Sequence, residues 1–152
     1  QERIAHLMGN GASANGHEEN IAELGETLKH AMTDHCGIFR NDEQLQIGLN
    51  IINDLQERVQ HARVMDTSQR FNTDLLGALE VQNLIDFSEV VVAGALARTE
   101  SRGAHTRTDY SERDDQDWLK HTMAVKEGDD IRLFYKDVCI DYATYPPQKR
   151  QY

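Results

Sequence analysis

The apolar segment Val90-Val-Val-Ala-Gly-Ala-Leu-Ala97 runs directly into Arg98-Thr-Glu-Ser-Arg-Gly-Ala-His-Thr-Arg-Thr-Asp-Tyr-Ser-Glu-Arg-Asp-Asp115, which we call the charged loop. A helix that is apolar on every side must be covered on every side. The charged loop holds four arginines, one histidine and five carboxylates in eighteen residues. Because a guanidinium bonds carboxylates and carbonyls bidentately, this composition favours a polar network that holds one surface against another. The alternative is a solvated mixed-charge loop, whose exposed ion pairs contribute about 0–1 kcal/mol each.

Three amphipathic patterns precede the charged loop and predict three long helices. Alternating three- and four-residue steps give narrow stripes, which need a partner helix packed nearly parallel or antiparallel. A cap at Asn41 or Asp42 is expected to begin the second helix. The third helix runs from about Thr73 to Arg98. We expect its apolar surface to be buried partly by the other helices and the later hairpin, and partly by another domain. The stripes are Ile21, Leu24, Leu28, Ala31 and His35; then Leu45, Gly48, Ile52, Leu55, Val59 and Ala62; then Leu76, Leu79, Leu84, Phe87, Val91 and Ala95.

Two strands are predicted after the charged loop, at Trp118–Val125 and Ile131–Ile140, joined by a five-residue turn at Lys126–Asp130. The predicted fold class is therefore mainly α. It is a three-helix up-down-up bundle, similar to a spectrin repeat, followed by the charged loop and a small antiparallel β-hairpin at about 117–140. Residues 1–16 contain a glycine-rich linker and are interpreted as that linker plus the remnant of a preceding domain. Residues 17–152 form the helical domain, which ends in an extended tail.

Charge and hydropathy exclude several classes of protein. A net charge of −10 argues against binding nucleic acid or anionic lipid. The longest apolar run, Val90–Ala97, is far too short to span a membrane. No signal peptide is visible, and the missing initiator methionine indicates a fragment or a processed chain. Cys36 and Cys139 are expected to be buried thiols.

The candidate chemical groups do not form a recognisable catalytic or metal site. His105, His121 and the nearby aspartates have no spacing diagnostic of zinc. His105 with Glu100 or Asp109 could form an acid–base pair, but no activated nucleophile accompanies it. Gly9, Gly11 and Gly16 do not form a dinucleotide-binding turn. We therefore assign no catalytic, cofactor-binding or metal-binding residue in this chain.

Several motifs in order resemble the C-terminal domain of the flavoprotein subunit of succinate dehydrogenase and fumarate reductase. The similarity runs from about residue 21 to residue 152, and Ser111 departs from it, standing where the family usually has proline. The motifs are Cys36-Gly-Ile-Phe-Arg40, Phe71-Asn-Thr-Asp-Leu-Leu76, Glu100-Ser-Arg-Gly-Ala-His105, Asp109-Tyr110, Arg113-Asp-Asp115, Trp118-Leu-Lys-His-Thr122 and Pro146-Pro-Gln-Lys-Arg-Gln-Tyr152.

The resemblance implies a parent enzyme that carries covalent FAD and interconverts succinate and fumarate by hydride transfer, with its flavin and catalytic residues in upstream domains. This chain alone is expected to bind no cofactor and to be inactive. Its implied partners are the FAD-binding domain of the same subunit and the iron–sulfur subunit. The implied location is the cytoplasmic or matrix side of a membrane, peripheral and held through partner subunits.

Nine side chains are candidates for docking against those partners. Gly103 is expected to end the third helix in a left-handed conformation. Arg102 would then reach Glu100 or helix-end carbonyls, while Arg107 and Arg113 would meet nearby aspartates or a partner. The candidates are Arg98, Glu100, Arg102, His105, Arg107, Asp109, Arg113, Asp114 and Asp115.

Two other interpretations remain at this stage. One is the C-terminal domain of an aspartate oxidase-like flavoprotein, which shares the Glu-Ser-Arg-Gly-x-His portion. The Trp118–Thr122 segment, the hairpin and the Pro-Pro-x-x-Arg-x-Tyr end favour the succinate and fumarate enzymes instead. The other is an unrelated helical bundle that binds proteins through its own grooves, but such a bundle does not require the charged loop.

Overall fold

Four helices and six short strands make up the computed structural model, which describes residues 2–9, 19–128, 130–146 and 148. The elements are α1 (Glu2–Leu7), β1 (Glu19–Asn20), α2 (Ile21–His35), β2 (Phe39–Arg40), α3 (Asp42–Arg58), a 3-10 turn (Val59–His61), β3 (Ala62–Arg63), α4 (Thr73–Ala97), β4 (Thr106–Arg107), β5 (Lys120–Glu127) and β6 (Asp130–Asp137). The predicted mainly helical fold with a small hairpin is confirmed. Positions 10–16 of the predicted linker, which was expected at Gly9–Gly16, and positions 147 and 149–152 of the tail lie outside the described residues.

An asparagine begins each of the three long helices. Asn20 accepts from the Ala22 amide at 2.9 Å, and Asn72 accepts from the Leu75 amide at 2.7 Å. For α3 the cap is Asn41, which accepts from the Gln44 amide at 2.8 Å. A short side-chain oxygen is well suited to bond these otherwise unpaired amides of a first helical turn.

The core lies where α2, α3 and α4 pack, since each of the three contacts the other two. Residues of the first two predicted stripes form this core. In α2 the buried positions are Leu24, Leu28 and Ala31. The second stripe is buried throughout: Leu45, Gly48, Ile52, Leu55, Val59 and Ala62. From α1, Leu7 joins the same core with no exposed surface, and its carbonyl accepts from the Val64 amide at 3.0 Å.

The predicted face of α4 is wrong. Leu76, Leu84 and Phe87 are 57%, 53% and 65% exposed. Of the predicted face only Ala95 is buried, and the other buried residues of the helix are Ala78, Gln82, Ile85, Ser88 and Val92. Because α4 is apolar on most sides, its hydrophobic periodicity gives little information about which face packs. Small side chains on the inner face let the other helices approach closely, and buried Gln82 accepts from Arg3 of α1 at 2.7 and 3.0 Å.

β5 and β6 form the expected antiparallel hairpin, paired from Lys120↔Asp137 to Glu127↔Asp130. The predicted five-residue turn is wrong, because pairing continues to Glu127 and leaves only positions 128 and 129 between the strands. Gly128 there has a φ of +68°, a conformation that glycine adopts without steric cost.

Two short parallel pairings were not predicted: β1 with β3, and β2 with β4. The second fixes Phe39–Arg40 beside the charged loop. Cys36 is buried as expected, whereas Cys139 is exposed, because it follows β6 in a hairpin that has few buried side chains. Among the described helices, none is long and apolar enough to cross a membrane.

Candidate functional site: the charged network

Arg107 is the centre of the charged loop and has no exposed surface. Its guanidinium bonds Asp109 bidentately, with Nε–Oδ1 at 2.8 Å and Nη2–Oδ2 at 2.7 Å. Nη1 donates to the carbonyls of Ala95 and Leu96 at 3.0 and 3.2 Å, and Nη2 also donates to Asp42 at 3.2 Å. All five N–H donors of the side chain therefore have partners. The arginine connects the end of α4 to the start of α3.

Asp109 completes this connection from the other side. Its Oδ2 accepts the backbone amide of Asp42 at 2.9 Å, one of the amides that has no partner within α3. The hydrogen bonds from Arg107, the largest influence, hold the pKa of Asp109 far below its usual range. Reciprocally, Asp109 raises the pKa of Arg107. Both groups are therefore charged at neutral pH.

Glu100 is the second buried charge, also without exposed surface. Arg102 bonds both its carboxylate oxygens, at 2.8 and 2.9 Å, and Arg98 donates to Oε1. The amide of Asp114 donates to Oε2 at 2.9 Å. Burial by itself raises the pKa of Glu100, but the bonds from Arg102, Asp114 and Arg98 outweigh it, and the net pKa lies below the usual value. Such pairing is what makes a buried carboxylate tolerable.

Arg98 extends the network to the hairpin. Its Nη1 donates to the Trp118 carbonyl at 3.1 Å, and its Nη2 donates to the Lys120 carbonyl and, at 3.3 Å, to the Thr122 hydroxyl. The guanidinium carbon also lies 5.0 Å from the centre of the Trp118 ring. One side chain thus connects the end of α4, Glu100 and the first residues of β5.

His105 joins the loop to the segment before α3. Arg40 Nη1 lies 3.1 Å from Nδ1, and since a guanidinium only donates, Nδ1 accepts and carries no proton. Nε2 therefore holds the proton and donates to the Arg98 carbonyl at 3.2 Å. Burial is the main cause that lowers the pKa of His105, and the charges of Arg40, Arg107 and Arg98 lower it further. The neutral ring is the form that this site requires.

A tight turn lets the backbone bring these groups together. Arg102 and His105 exchange backbone hydrogen bonds at 2.8 and 3.1 Å, and Gly103 between them has a φ of +62°. The prediction that Gly103 ends α4 is wrong, because the helix already ends at Ala97 and Arg98 is extended. The left-handed conformation is present, but it makes the two-residue turn of a small hairpin.

Arg113, Asp114 and Asp115 form the outer edge of the network. Arg113 bonds Asp115 through two contacts of 2.7 Å and donates to the Gln148 carbonyl at 2.6 Å. Asp115 also accepts from Arg102 at 2.8 Å, and its pKa is lowered mainly by the bonds from Arg113. The side chains of Arg113 and Asp115 are 22% and 42% exposed. This edge, unlike Arg107 and Glu100, presents charge outward.

The nine candidate residues therefore form two neighbouring groups of contacts: Arg107 pairs with Asp109, and the other seven are linked through Arg98, Glu100 and Arg102. Arg102–Glu100, Arg107–Asp109 and Arg113–Asp115 pair as expected. Sequence reasoning missed Arg40 and gave Asp42 only a capping role. Asp42 and Arg107 are far apart in the sequence, so their contact could not be predicted from it. The pairing of β2 with β4 brings them together. Ser101 was also missed; its hydroxyl accepts from the Arg107 amide at 2.8 Å and donates to the Tyr110 carbonyl at 2.8 Å.

Within the described ranges, no cluster of three or more His, Cys, Asp or Glu side chains could hold a metal ion. The positive-φ glycines, Gly9, Gly103 and Gly128, do not lie in a turn between a strand and a helix that could cradle a dinucleotide phosphate. No chemical step is assigned to the described residues. The arginine donors are occupied by carboxylates and carbonyls, and the arrangement holds elements together.

The fold and the site define a class of protein. Its members are mainly helical domains with a buried arginine–carboxylate network and a hairpin. The chain belongs to the family described as fumarate reductase flavoprotein C-term, whose profile matches residues 25–152. The succinate dehydrogenase flavoprotein subunit of Coxiella burnetii is 44% identical over 135 residues, which cover 87% of this chain and 22% of that protein. The fumarate reductase flavoprotein subunit of Escherichia coli is 44% identical over 137 residues, covering 88% and 22%.

Solved structures agree with this assignment. A quinol fumarate reductase chain of E. coli matches 97% of this chain with a TM-score of 0.85 and 39% identity. The adenylylsulfate reductase of Archaeoglobus fulgidus shares only the fold, with a TM-score of 0.74 and 19% identity. This chain spans 22% of the length of each of the two relatives named above and 25% of the matched E. coli structure.

Proposed function

We propose that this chain is the C-terminal domain of an FAD-dependent succinate dehydrogenase or fumarate reductase flavoprotein subunit. In that subunit it serves as a structural and docking domain for the FAD-binding domain and the iron–sulfur subunit. The observation that carries the proposal is the family match over residues 25–152, which includes the whole charged network. Hydride transfer between succinate and fumarate belongs to the upstream domains, and the complete subunit lies peripherally on a membrane through its partners.

The outer edge of the network supports the docking role. Arg113 and Asp115 are partly exposed, yet each is held by at least two polar contacts. Side chains already fixed in one conformation lose little entropy when a partner binds. Asp109 is also 29% exposed beside the buried guanidinium of Arg107. A partner would meet oriented charges at this edge.

We also infer that α2, α3 and α4 run up, down and up. Arg58, at the end of α3, bonds Glu19, just before α2, at 3.0 Å. Asp42, at the start of α3, bonds the same arginine that binds the last carbonyls of α4. Both contacts suit an α3 that is antiparallel to its two neighbours. The short connection between α2 and α3 favours the same arrangement.

Arg113→Ala in the full-length subunit tests the docking role. We expect weaker flavin incorporation or weaker assembly with the iron–sulfur subunit, because removing one member of a charge pair buried at an interface costs about 3–5 kcal/mol. Flavin content, co-purification with the iron–sulfur subunit and succinate-driven reduction of an artificial electron acceptor are the measurements. The matched control is Arg132→Ala, since Arg132 is a 57% exposed hairpin arginine paired with Glu127.

Two results would count against the proposal. A full-length protein that contains no flavin and neither oxidises succinate nor reduces fumarate would remove the enzyme assignment. Equal and negligible effects of Arg113→Ala and Arg132→Ala would reduce the outer edge to ordinary solvated surface.

A further inference from the structure

Of the nine candidate residues, His105 is the one whose ordinary pKa lies near neutrality. The arginines and carboxylates around it keep their charges between about pH 5 and pH 8. Its Nδ1 accepts from Arg40 Nη1 at 3.1 Å, and its Nε2 donates to the Arg98 carbonyl at 3.2 Å. Because Arg40 belongs to β2 and His105 directly precedes β4, the first of these hydrogen bonds joins the two strands.

The pairing of β2 with β4 is short. Each strand has two residues, and a two-stranded pairing of this kind is marginally stable on its own. The Thr106 amide donates to the Ile38 carbonyl at 3.2 Å, and the Thr108 amide donates to the Arg40 carbonyl at 2.7 Å. We call these two backbone hydrogen bonds, together with the side-chain bond from Arg40 to His105, the β2–β4 junction.

Protonation of His105 turns the side-chain bond of the junction into a repulsion. A proton on Nδ1 would face Arg40 Nη1 across 3.1 Å, so that two donors meet without an acceptor. Arg40 is held from its other side, since its Nε donates to the Gly37 carbonyl at 2.5 Å. Arg107 in β4 and Arg98 after α4 add two more positive charges nearby. Burial lowers the pKa of His105, and these three guanidinium charges lower it further.

The neighbouring carboxylates do not compensate a charge on this histidine. Glu100 bonds Arg98 and Arg102, and Asp109 bonds Arg107. Among the carboxylates that the structure describes, none forms an ion pair with the imidazole. A proton gained here therefore adds a cation to a group of cations that already hold their partners.

We propose that the β2–β4 junction is an acid-sensitive switch: protonation of His105 opens the pairing of β2 with β4 while the core of α2, α3 and α4 stays packed. The inference goes beyond the proposed function and does not depend on it. The core is built from apolar side chains that do not titrate in this range. Opening separates the charged loop from the start of α3, where Asp42 bonds Arg107.

The direction of the pH dependence follows from linkage. Above the ordinary histidine pKa of about 6.5 the ring is neutral in both the closed and the open junction, and the open fraction is constant. Below it the open junction binds the proton more readily, because its pKa is no longer lowered. The open fraction then rises by up to about tenfold per pH unit, until the lowered pKa of the closed junction is reached.

Hydrogen–deuterium exchange of the Thr106 and Thr108 amides tests the switch. Exchange is measured on the intact protein between about pH 5 and pH 8 and converted to protection factors, which removes the intrinsic effect of pH on exchange. The test variant is His105→Gln, whose amide can accept from Arg40 and donate to Arg98 without titrating. The matched control is His121→Gln, because His121 is exposed and lies outside the junction.

In the unaltered protein and in His121→Gln, the two protection factors are expected to fall at least about threefold between about pH 7 and pH 5. In His105→Gln they are expected to stay constant. The buried amides of Leu28 and Ile52 should exchange more slowly at every pH, which shows that the opening is local.

Three results would overturn the inference: no fall in the unaltered protein, an equal fall in His105→Gln, or exchange of the two junction amides at the rate of the core amides. If His105→Gln does not fold, Arg40→Gln replaces it. This variant removes one of the three opposing charges, so the fall should become smaller, and an unchanged fall would equally contradict the switch.

Discussion

At the scale of a single residue, Arg107 provides the positive charge that the last turn of α4 lacks. The last turn of α4 contains no basic side chain, although cations there stabilise the helix dipole and its unpaired carbonyls. Arg107 donates to two of those carbonyls, and Asp109 and Asp42 compensate its charge. The burial of this one guanidinium therefore depends on groups from α3, α4 and the charged loop together.

Arg107→Ala should destabilise the isolated chain by about 3–5 kcal/mol, because it leaves Asp109 and two helix-end carbonyls without their donor. Urea unfolding followed by circular dichroism measures the change. Arg113→Ala is the matched control and should shift the free energy of unfolding by less than about 1 kcal/mol, since its site is partly exposed. A small effect at Arg107 would mean that water replaces the guanidinium without cost.

His105 should make stability depend on pH near neutrality. Its pKa is lowered in the folded chain, so the unfolded chain binds the proton more readily. The stabilisation is present above the unfolded pKa of about 6.5 and is lost as the pH falls toward the lower folded pKa. In His105→Gln, an amide can still accept from Arg40 and donate to Arg98, and the dependence should flatten. Unfolding free energies between about pH 5 and 8 test this; parallel curves for the two proteins would contradict it.

At the scale of elements, α2 and α3 depend on leucines that are buried in the same core. Leu28→Ala or Leu55→Ala should cost about 2–5 kcal/mol, because each removes a buried side chain and leaves a cavity. Leu84→Ala provides the control, since Leu84 is 53% exposed in the isolated chain. Denaturant unfolding gives all three values, and a change below about 1 kcal/mol at both buried positions would contradict the packing.

Two helical glycines should respond in opposite directions to alanine. A Cβ at Gly48 would lie 2.8 Å from Cys36 Sγ and 3.2 Å from His35 Cβ, so Gly48→Ala should destabilise by about 1–3 kcal/mol despite better helix propensity. A Cβ at Gly77 meets nothing within 4 Å, so Gly77→Ala should stabilise by about 0.5–1 kcal/mol. Thermal unfolding of both variants checks the signs, and a stabilising Gly48→Ala would show that α2 and α3 have room to separate.

For the whole molecule, we predict that the isolated chain binds no flavin and has no succinate or fumarate activity. The physical reason is that the arginines of the charged loop bond carboxylates and carbonyls of the chain itself, and that no glycine-rich turn among the described residues offers amides to a pyrophosphate. Titration with FAD followed by flavin fluorescence, together with an activity assay, is the measurement. Tight stoichiometric binding of FAD would contradict the proposal that the upstream domains of the subunit hold the flavin.

The sequence by itself determined the elements whose signals are local. The stripes of α2 and α3 have clear periodicity, Asn41 lies where a cap is needed, and the hairpin strands flank a glycine turn. It also favoured a network in the loop after α4, since arginine and carboxylate at close spacing can pair without help from distant residues. Arg102 with Glu100 and Arg107 with Asp109 are such pairs.

Only the tertiary structure decided the features that depend on long-range packing. It selected the face of α4, because a helix apolar on most sides has no preferred inner face until Arg3 and the other helices contact it. It also brought Asp42 to Arg107 and Arg40 to His105, through the pairing of β2 with β4. Burial of a charge requires donors and acceptors from several elements at once, and the distances between those elements are fixed only when the core has packed.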